Sequence, residues 1–245
     1  MSVTMPHIQL PDNLGIPNVI LPGDPDRVDR VAACLEQPEA LAFNREYKSV
    51  RGLYHGVPVL VMSTGMGGPS TAIAVEELAR IGVQRMLRIG SCGALTDRLN
   101  LGDLVLVQAA VRDDGTSAGY APLSYPAIAD PEVLTACQRA ATALNASHMV
   151  GLARSHDCLY GDNNPSLYEE WSRRGVIASD MESSSLFVVG RLRGVQCGSI
   201  LNVVAGFHKD VAESVGLYQS GAEATAAGEH REILTALEAL VLLNR

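Results

Sequence analysis

Three arginines occupy positions where a small anion could bind. Arg27 ends a Gly-Asp-Pro-Asp-Arg turn after an apolar run, and Gly23 in this turn allows backbone N–H groups to approach a ligand closely. Arg88 lies near the carboxyl end of another apolar run, shortly before Ser91, where an unpaired buried cation would be costly. With Arg45, these guanidinium groups could surround one tetrahedral oxyanion through bidentate hydrogen bonds. The alternative is a set of structural ion pairs.

The turn that contains Arg27 also has a simpler interpretation. Pro25 suits the first turn of a helix, and Arg27 would then oppose the positive end of that helix. Such a placement is unfavourable unless the guanidinium meets an anion or a carboxylate. Asp24 or Asp26 could supply that carboxylate on the surface of a capped turn.

A second glycine-rich turn spans residues 63–70, with the sequence Ser-Thr-Gly-Met-Gly-Gly-Pro-Ser. It is similar to the dinucleotide-binding pattern G-x-G-x-x-G, with Ser70 in the place of the third glycine. That pattern requires an acidic residue at the end of the next strand to hold the ribose hydroxyls. The next strand carries Arg88 instead, which argues against NAD. Tight packing is the ordinary role of such a turn.

The Asp-Met-Glu segment at residues 180–182 combines an acid with an apolar side chain at the predicted start of a helix. Glu182 could accept hydrogen bonds from two sugar hydroxyls, and Met181 could pack on the apolar face of a ribose. A glutamate at a helix start is also ordinary capping chemistry. Spacing alone leaves both interpretations open.

The elements that must position these residues alternate along the chain. Short β-branched runs predict strands at residues 18–21, 58–63, 85–89, 104–109, 149–153, 176–178 and 198–205. Apolar periodicity predicts helices at residues 70–81 and near the C-terminus, and a hairpin is expected around His55-Gly56. This alternation predicts an α/β fold with a parallel or mixed sheet, in one domain over residues 1–245. Residues 112–130 and 156–166 are expected to be long functional loops.

Composition excludes several classes of protein. The chain has 245 residues, 47% of them hydrophobic, and a net charge of −8, so neither disorder nor binding to duplex DNA is expected. No apolar run is long enough to span a bilayer, and the N-terminus lacks the features of a signal peptide. The five cysteines form no C-x-x-C, and the six histidines show no metal spacing. Buried thiols in a reducing cytoplasm are the simplest interpretation.

Four motifs together carry a resemblance. Gly-Asp-Pro-Asp-Arg, Ser-Thr-Gly-Met-Gly-Gly-Pro-Ser, Arg-Ile-Gly-Ser-Cys-Gly and Asp-Met-Glu-Ser occur in the order and at the separations typical of the nucleoside phosphorylase-I family. Residues 111–117 and 120–127 resemble the uridine branch of that family, not its bacterial purine branch. The similarity runs from about His7 to about Ala205.

The resemblance implies a fold and a reaction. The fold is a three-layer α/β domain around a distorted, mixed central sheet. The reaction is the reversible phosphorolysis of a nucleoside to free base and pentose 1-phosphate, with phosphate as co-substrate and no required cofactor. The family forms homo-oligomers built from dimers, and bacterial members usually form hexamers. No nucleic acid or membrane partner is expected.

The resemblance also implies roles for individual residues. Arg88 and Glu182 would be catalytic. Phosphate would bind to Gly23, Arg27, Arg88 and Ser91, with Arg45 reaching the phosphate of a neighbouring subunit. The sugar would bind to Met181, Glu182 and the neighbour's His7. Leu159 and Tyr160 would contact the base. Glu46, Met66 and Ser70 match positions that bind a monovalent cation, K⁺, between subunits.

The chain departs from the uridine branch where the base should bind. Members of that branch usually carry a Gln and an Arg that read the uracil edge, but residues 158–164 lack this pair. Near the end of the late strand, Phe207 and His208 stand in place of the family's Asp or Arg. Phe207 could stack on a base or belong to the core. His208 could donate to a base, but it is expected at the surface. The alternatives therefore include a purine or other nucleoside phosphorylase, a nucleosidase that uses water, and a nucleoside-binding protein without activity.

Overall fold

The computed structural model describes residues 3–209, 214, 216 and 223–244. Its strands are β1 (Asn18–Pro22), β2 (Glu36–Asn44), β3 (Tyr47–Tyr54), β4 (Val57–Met62), β5 (Arg85–Ala94), β6 (Leu104–Asp113), β7 (Ala127–Ile128), β8 (His148–His156), β9 (Val176–Asp180) and β10 (Gln196–Ala205). Its helices are α1 (Pro25–Ala32), α2 (Gly68–Arg80), α3 (Gly115–Tyr120), α4 (Pro131–Ala143), α5 (Asn164–Arg173), α6 (Ser183–Leu192) and α7 (Glu223–Leu243).

The strands form one mixed sheet that closes on itself over part of its width. Its order is β10-β6-β8-β9-β5-β1-β4-β3-β2, and β10 also pairs with β5, so five strands form a ring and four extend from it. The tenth strand, β7, pairs with β6 outside this order. Pairing is parallel between β1 and β5 and antiparallel between β5 and β9. Register shifts interrupt β10 between Val203 and Ala205. The expected distorted, mixed sheet is thereby confirmed.

Helices cover both faces of the sheet. Alternation along β1 places Val19 and Leu21 in one buried apolar cluster and Ile20 in another, because successive side chains of a strand point to opposite faces. Leu78 of α2 and Phe187 of α6 pack in the first cluster, whereas Val133 of α4 and Leu237 of α7 pack in the second. This arrangement is the three-layer α/β architecture expected from the sequence.

Local sequence explains the turns that bound the site. The Asp24 carboxylate accepts a hydrogen bond from the Asp26 N–H at 3.0 Å, and Pro25 occupies the first turn of α1. His55 and Gly56 both adopt positive φ in the two-residue turn between β3 and β4. That backbone conformation matches the twist of a hairpin, so the predicted hairpin is confirmed.

The seven predicted strands are confirmed, and most of them extend further than expected. Strand β2 went unpredicted because residues Glu36–Glu39 are exposed and polar, so they show no alternating pattern. Residues 112–130 are not one continuous loop, since they contain α3 and β7. Residues 156–166 likewise include the start of α5. Across the described residues, no helix combines the length and apolar character needed to cross a membrane.

Candidate active site

A cavity of about 1250 Å³ opens where the carboxyl ends of several strands meet. The turns after β1 and β4 and the last residues of β5, β9 and β10 form its walls, together with the segment that follows β8. The carboxyl ends of strands are the usual ligand sites of α/β folds, because free N–H groups and helix starts gather there. Residues that the sequence predicted to act together lie on this wall: Gly23, Arg27, Arg88, Ser91, Met181 and Glu182.

Arg88 is held by two buried carboxylates at the cavity wall. Its Nη2 donates to Glu182 Oε2 at 2.5 Å, and its Nε donates to Asp180 Oδ2 at 3.2 Å. A Cβ atom on Gly90 would lie 2.5 Å from the same Nη2, so glycine is required for the guanidinium to lie there. The pair of carboxylates fixes the direction of Arg88 and prevents it from being an unpaired buried cation.

Glu182 occupies the position before the first turn of α6 but does not cap that helix. Its Oε1 accepts from the Gly67 N–H at 2.6 Å, in the glycine-rich turn after β4. Burial raises the pKa of Glu182, and the nearby Asp180 charge adds to this rise, whereas Arg88 opposes it. The capping interpretation is therefore wrong, and the carboxylate links the glycine-rich turn to Arg88.

Arg27 is paired with a residue of the last helix. Its Nε donates to Glu229 Oε2 at 3.0 Å, and Arg30 binds the other oxygen of Glu229. The expected alternative, a surface pair of Arg27 with Asp24 or Asp26, is replaced by this buried bridge across the fold. The ion pair does not remove Arg27 from the site, because Arg27 lines the cavity together with Arg88.

A second buried glutamate of α7 supports the strand that carries Arg88. Glu232 Oε1 accepts from the Gly90 N–H at 2.6 Å, and its Oε2 has no hydrogen-bond partner among the described residues. Burial raises the pKa of Glu232 to about 8. The carboxyl group is therefore mostly protonated at neutral pH, which is the less costly state for an enclosed acid.

Apolar and aromatic side chains line another part of the cavity: Leu159, Tyr160 and Phe207. Tyr160 is exposed, and the Phe207 ring lies against His208 with the ring centroids 3.7 Å apart. Asn164 Nδ2 donates to the carbonyl oxygens of Cys158 and Leu159 at 2.8 and 2.9 Å. These bonds fix the conformation of the segment after β8.

The three residues expected to bind a cation also line the cavity: Glu46, Met66 and Ser70. Gly65 has a φ of +71°, and a Cβ there would lie 2.8 Å from Glu46 Cγ, so the two turns pack closely. Ser70 Oγ donates to the Met66 carbonyl oxygen at 3.2 Å. No group of three or more His, Cys, Asp or Glu side chains in the described part of the chain could hold a metal ion.

Two predicted residues lie away from the cavity wall that the described residues form. Arg45 is exposed in the turn between β2 and β3, with a φ of +56°. His7 Nδ1 lies 2.6 Å from Glu77 Oε1, and the side chain is 43% exposed. Within one chain, neither residue is brought together with Arg88.

Several residues of the site were missed by sequence reasoning: His156, Tyr168, Asp180, Glu229 and Glu232. Asp180 had a visible signal, since it is two residues from Glu182 at the end of the same strand. Glu229 and Glu232 are charged residues on the buried face of a C-terminal helix, a position where charge requires a partner. His156 and Tyr168 offered no signal, because only the fold brings them to the cavity.

The wall places cationic groups beside a buried carboxylate, with an aromatic region in the same cavity. Such a site suits a small ligand that combines an anion, hydroxyl groups and a flat ring.

The sequence model of the phosphorylase superfamily matches residues 17–238, and the chain belongs to this superfamily. The uridine phosphorylase of Escherichia coli is 41% identical over 213 residues, which are 81% of this chain and 84% of that protein.

Solved structures give the same relationship. The crystal structure of uridine phosphorylase from Vibrio fischeri ES114 superposes with a TM-score of 0.91 at 40% identity and covers 98% of each chain. The structure of purine nucleoside phosphorylase from Toxoplasma gondii in complex with immucillin-H has a TM-score of 0.91 at 33% identity. It covers 99% of this chain and 97% of that one.

Proposed function

We propose that the chain, acting as one domain over residues 1–245, catalyses the phosphorolysis of a nucleoside to free base and pentose 1-phosphate, with uridine as its substrate. The observation that carries this proposal is the contact between Arg88 Nη2 and Glu182 Oε2 inside the cavity. A group suited to phosphate and a group suited to sugar hydroxyls are thereby adjacent. The uridine phosphorylases that resemble the chain over most of its length support the choice of base.

Phosphate would bind beside Gly23, Arg27, Arg88 and Ser91. Cleavage of the N-glycosidic bond develops positive charge on the sugar ring, as in glycoside hydrolysis. A phosphate dianion, HPO₄²⁻, held by fixed guanidinium groups stabilises this charge and then forms the new bond to C1′. The bonding electrons leave with the base, which takes up the proton that the phosphate loses. The contribution of the protein is orientation and electrostatics, which need no cofactor.

Glu182 would hold the ribose hydroxyls, with Met181 against the ring. The carboxylate is fixed from two sides by the Gly67 N–H and by Arg88, so its position does not depend on the substrate. Such a preorganised acceptor can align the sugar with phosphate before bond cleavage. Leu159, Tyr160 and Phe207 would pack on the base.

The complete site would be shared between subunits of a homo-oligomer, a dimer or three dimers in a hexamer. Arg45 would reach the phosphate of the neighbouring subunit, and His7 its sugar. The exposure of Arg45 and the half-exposed His7 side chain, both away from their own cavity wall, support this part of the proposal. Two exposed apolar side chains, Phe43 in β2 and Met66 at the cavity wall, favour burial by a partner chain.

A monovalent cation, K⁺, would lie at the same interface. Glu46 and Ser70 offer a carboxylate and a hydroxyl, and Met66 offers a carbonyl oxygen, so the donor atoms suit a hard cation. One subunit supplies too few of them for a full coordination shell, which is why the site would need the partner.

The five cysteines are free, and three of them are buried, which favours a reducing compartment such as the cytoplasm.

Phosphate dependence tests the proposal directly. Purified protein is incubated with uridine, thymidine, cytidine, inosine and guanosine, with and without phosphate, and free base is measured by chromatography. We expect uracil release only with phosphate, together with ribose 1-phosphate. Base release without phosphate would identify a nucleosidase, and binding without turnover would identify a nucleoside-binding protein; either result would contradict the proposal.

A purine nucleoside phosphorylase is the second candidate. The Toxoplasma gondii structure covers nearly the whole chain and supports this alternative, although at lower identity than the uridine phosphorylases. The same panel separates the two, because release of hypoxanthine or guanine but not uracil would favour the purine reaction.

A further inference from the structure

His156 is a buried polar side chain on the wall of the cavity. It is the last residue of β8 and is 3% exposed. It shares the cavity with the apolar side chains Leu159, Tyr160 and Phe207. A histidine buried among such neighbours is costly unless its ring nitrogens find partners.

One ring nitrogen of His156 lacks such a partner. Nδ1 is buried and has no hydrogen-bond partner among the described residues. Because Nδ1 is enclosed, the ring nitrogen open to the cavity is Nε2, which also has no hydrogen-bond partner among the described residues and can therefore pair with a ligand. The two nitrogens of an imidazole point in different directions, so Nε2 alone can form one hydrogen bond, as acceptor from an N–H or as donor to a carbonyl oxygen on the edge of a nucleobase.

The surroundings of His156 favour the neutral imidazole that this role needs. Burial lowers the pKa of His156, and the guanidinium of Arg154, two residues earlier on the same face of β8, lowers it further. The carboxylates of Asp180 and Asp113 and the nearby Cys158 backbone act in the opposite direction. The Tyr168 ring packs edge-on against the imidazole with the centroids 6.1 Å apart.

The ring is also held in place. Arg154 pairs with Asp113 at 2.6 Å, and its guanidinium carbon lies 5.7 Å from the centroid of Tyr168. Tyr168 therefore packs beside both side chains of this face of β8. The amide nitrogen of Asn164, another polar side chain of the cavity wall, already donates to the carbonyl oxygens of Cys158 and Leu159. His156 is therefore better placed than Asn164 to bond to a ligand.

We propose that His156 Nε2 forms one hydrogen bond with an N–H or a carbonyl oxygen on the edge of the nucleobase and thereby determines base specificity. The inference rests on the proposed function, because it assigns a base contact in the same site. It predicts that bases with a lactam edge, such as uracil, are preferred over analogues that lack it.

A comparison of uridine with two analogues tests this contact. 4-Deoxyuridine lacks the N3–H and the 4-carbonyl, and 2-thiouridine replaces the 2-carbonyl oxygen with sulfur, a weaker acceptor. The kcat/KM ratios of uridine to each analogue are measured for the wild type, His156→Leu and His156→Ala. Intrinsic differences in leaving-group reactivity are the same for every variant and so cancel. His148→Leu, on the same strand and bound to the Ala146 carbonyl oxygen, is the matched control.

We expect both His156 variants to lower at least one ratio by about tenfold, equivalent to about 1.4 kcal/mol, with an unchanged KM for phosphate. The control should keep the wild-type ratios. Ratios that stay unchanged in the folded His156 variants would overturn the inference.

Calorimetric titration with uridine in the absence of phosphate distinguishes an incorrect base contact from an incorrect proposed function. Base release that never depends on phosphate refutes the phosphorylase. Uridine binding that is about tenfold weaker in His156→Ala than in the wild type still supports the base contact. Equal affinities, or no binding by the wild type, would overturn the contact in either case.

Discussion

Arg88 Nη2 lies 2.5 Å from Glu182 Oε2, although the two residues are 94 positions apart in the chain. Both side chains are nearly enclosed, so their charges interact with little screening by water. The contact couples the group proposed to bind phosphate to the group proposed to bind ribose. Changes at either residue should therefore affect both substrates.

Loss of Arg88 should weaken the use of phosphate. We expect Arg88→Ala to raise the KM for phosphate and to lower kcat/KM by about 10- to 100-fold, since each charge-assisted hydrogen bond contributes roughly 1.5–3 kcal/mol. It also leaves Asp180 and Glu182 without their cation, so the free energy of unfolding should fall. Steady-state kinetics at varied phosphate and denaturant unfolding measure the two effects.

Arg88→Lys separates these effects, because lysine keeps a charge for the carboxylates but lacks the bidentate fork. We expect it to recover stability better than activity. Arg85→Ala, on the same strand and hydrogen-bonded to Asn18 instead, is the control and should leave phosphate kinetics unchanged. A normal phosphate requirement in Arg88→Ala would refute the assignment.

Neutralisation of Glu182 should reduce turnover of the nucleoside. Glu182→Gln keeps an oxygen that can accept from the Gly67 N–H, but it loses the charged acceptor for the sugar hydroxyls and the ion pair with Arg88. We expect kcat/KM for uridine to fall at least ~10-fold, about 1.4 kcal/mol. Glu170→Gln, which removes an exposed pair with Arg174, should retain wild-type kinetics. Equal values for both variants would leave Glu182 with a structural role only.

Mixed oligomers should reveal whether Arg45 acts across a subunit interface. Arg45→Ala and Arg88→Ala are each expected to be nearly inactive alone. After the two are dissociated together and reassembled, some sites combine an intact Arg88 with an intact Arg45 from the neighbour. Activity should then recover in part, as measured on oligomers shown by mass spectrometry to contain both variants. Mixed oligomers without recovery, or a fully active monomer, would contradict the shared site.

Glu232 should make stability depend on pH. Its pKa is raised to about 8 in the folded protein by burial, above the value in the unfolded chain. The stability that protonated Glu232 contributes is therefore fully present below the pKa of the group in the unfolded chain. It is lost as the pH rises to about 8. Glu232→Gln is neutral at every pH, so this loss should disappear.

Denaturant unfolding between pH 5 and pH 8.5 measures this effect. The wild type should lose about 4 kcal/mol more than Glu232→Gln over this interval, since each unit of pKa shift corresponds to about 1.4 kcal/mol. Glu223→Gln, an exposed change on the same helix, should follow the wild type. Parallel pH profiles for the wild type and Glu232→Gln would show that Glu232 is already ionised in the folded protein.

The sequence by itself determined the strands, the α/β class and the turns that carry Gly23 and the glycine-rich segment at residues 63–70. These features depend on neighbours along the chain: apolar periodicity, glycine and proline in turns, and motif order. The same local signals failed for β2, whose exposed polar residues form a strand only because β3 lies beside them. The segment that ends in α5 was likewise assigned to a loop.

The tertiary structure decided which of the charged side chains meet. Arg27 reaches Glu229 across 202 positions, and Arg88 lies between Asp180 and Glu182, because the sheet closes through the pairings of β5 with β9 and β10. His156 reaches the same cavity by the parallel pairing of β8 with β9. Strand order and register arise from the packing of the whole core, and no local pattern of residues specifies them, so the partners of a buried charge become known only in the folded chain.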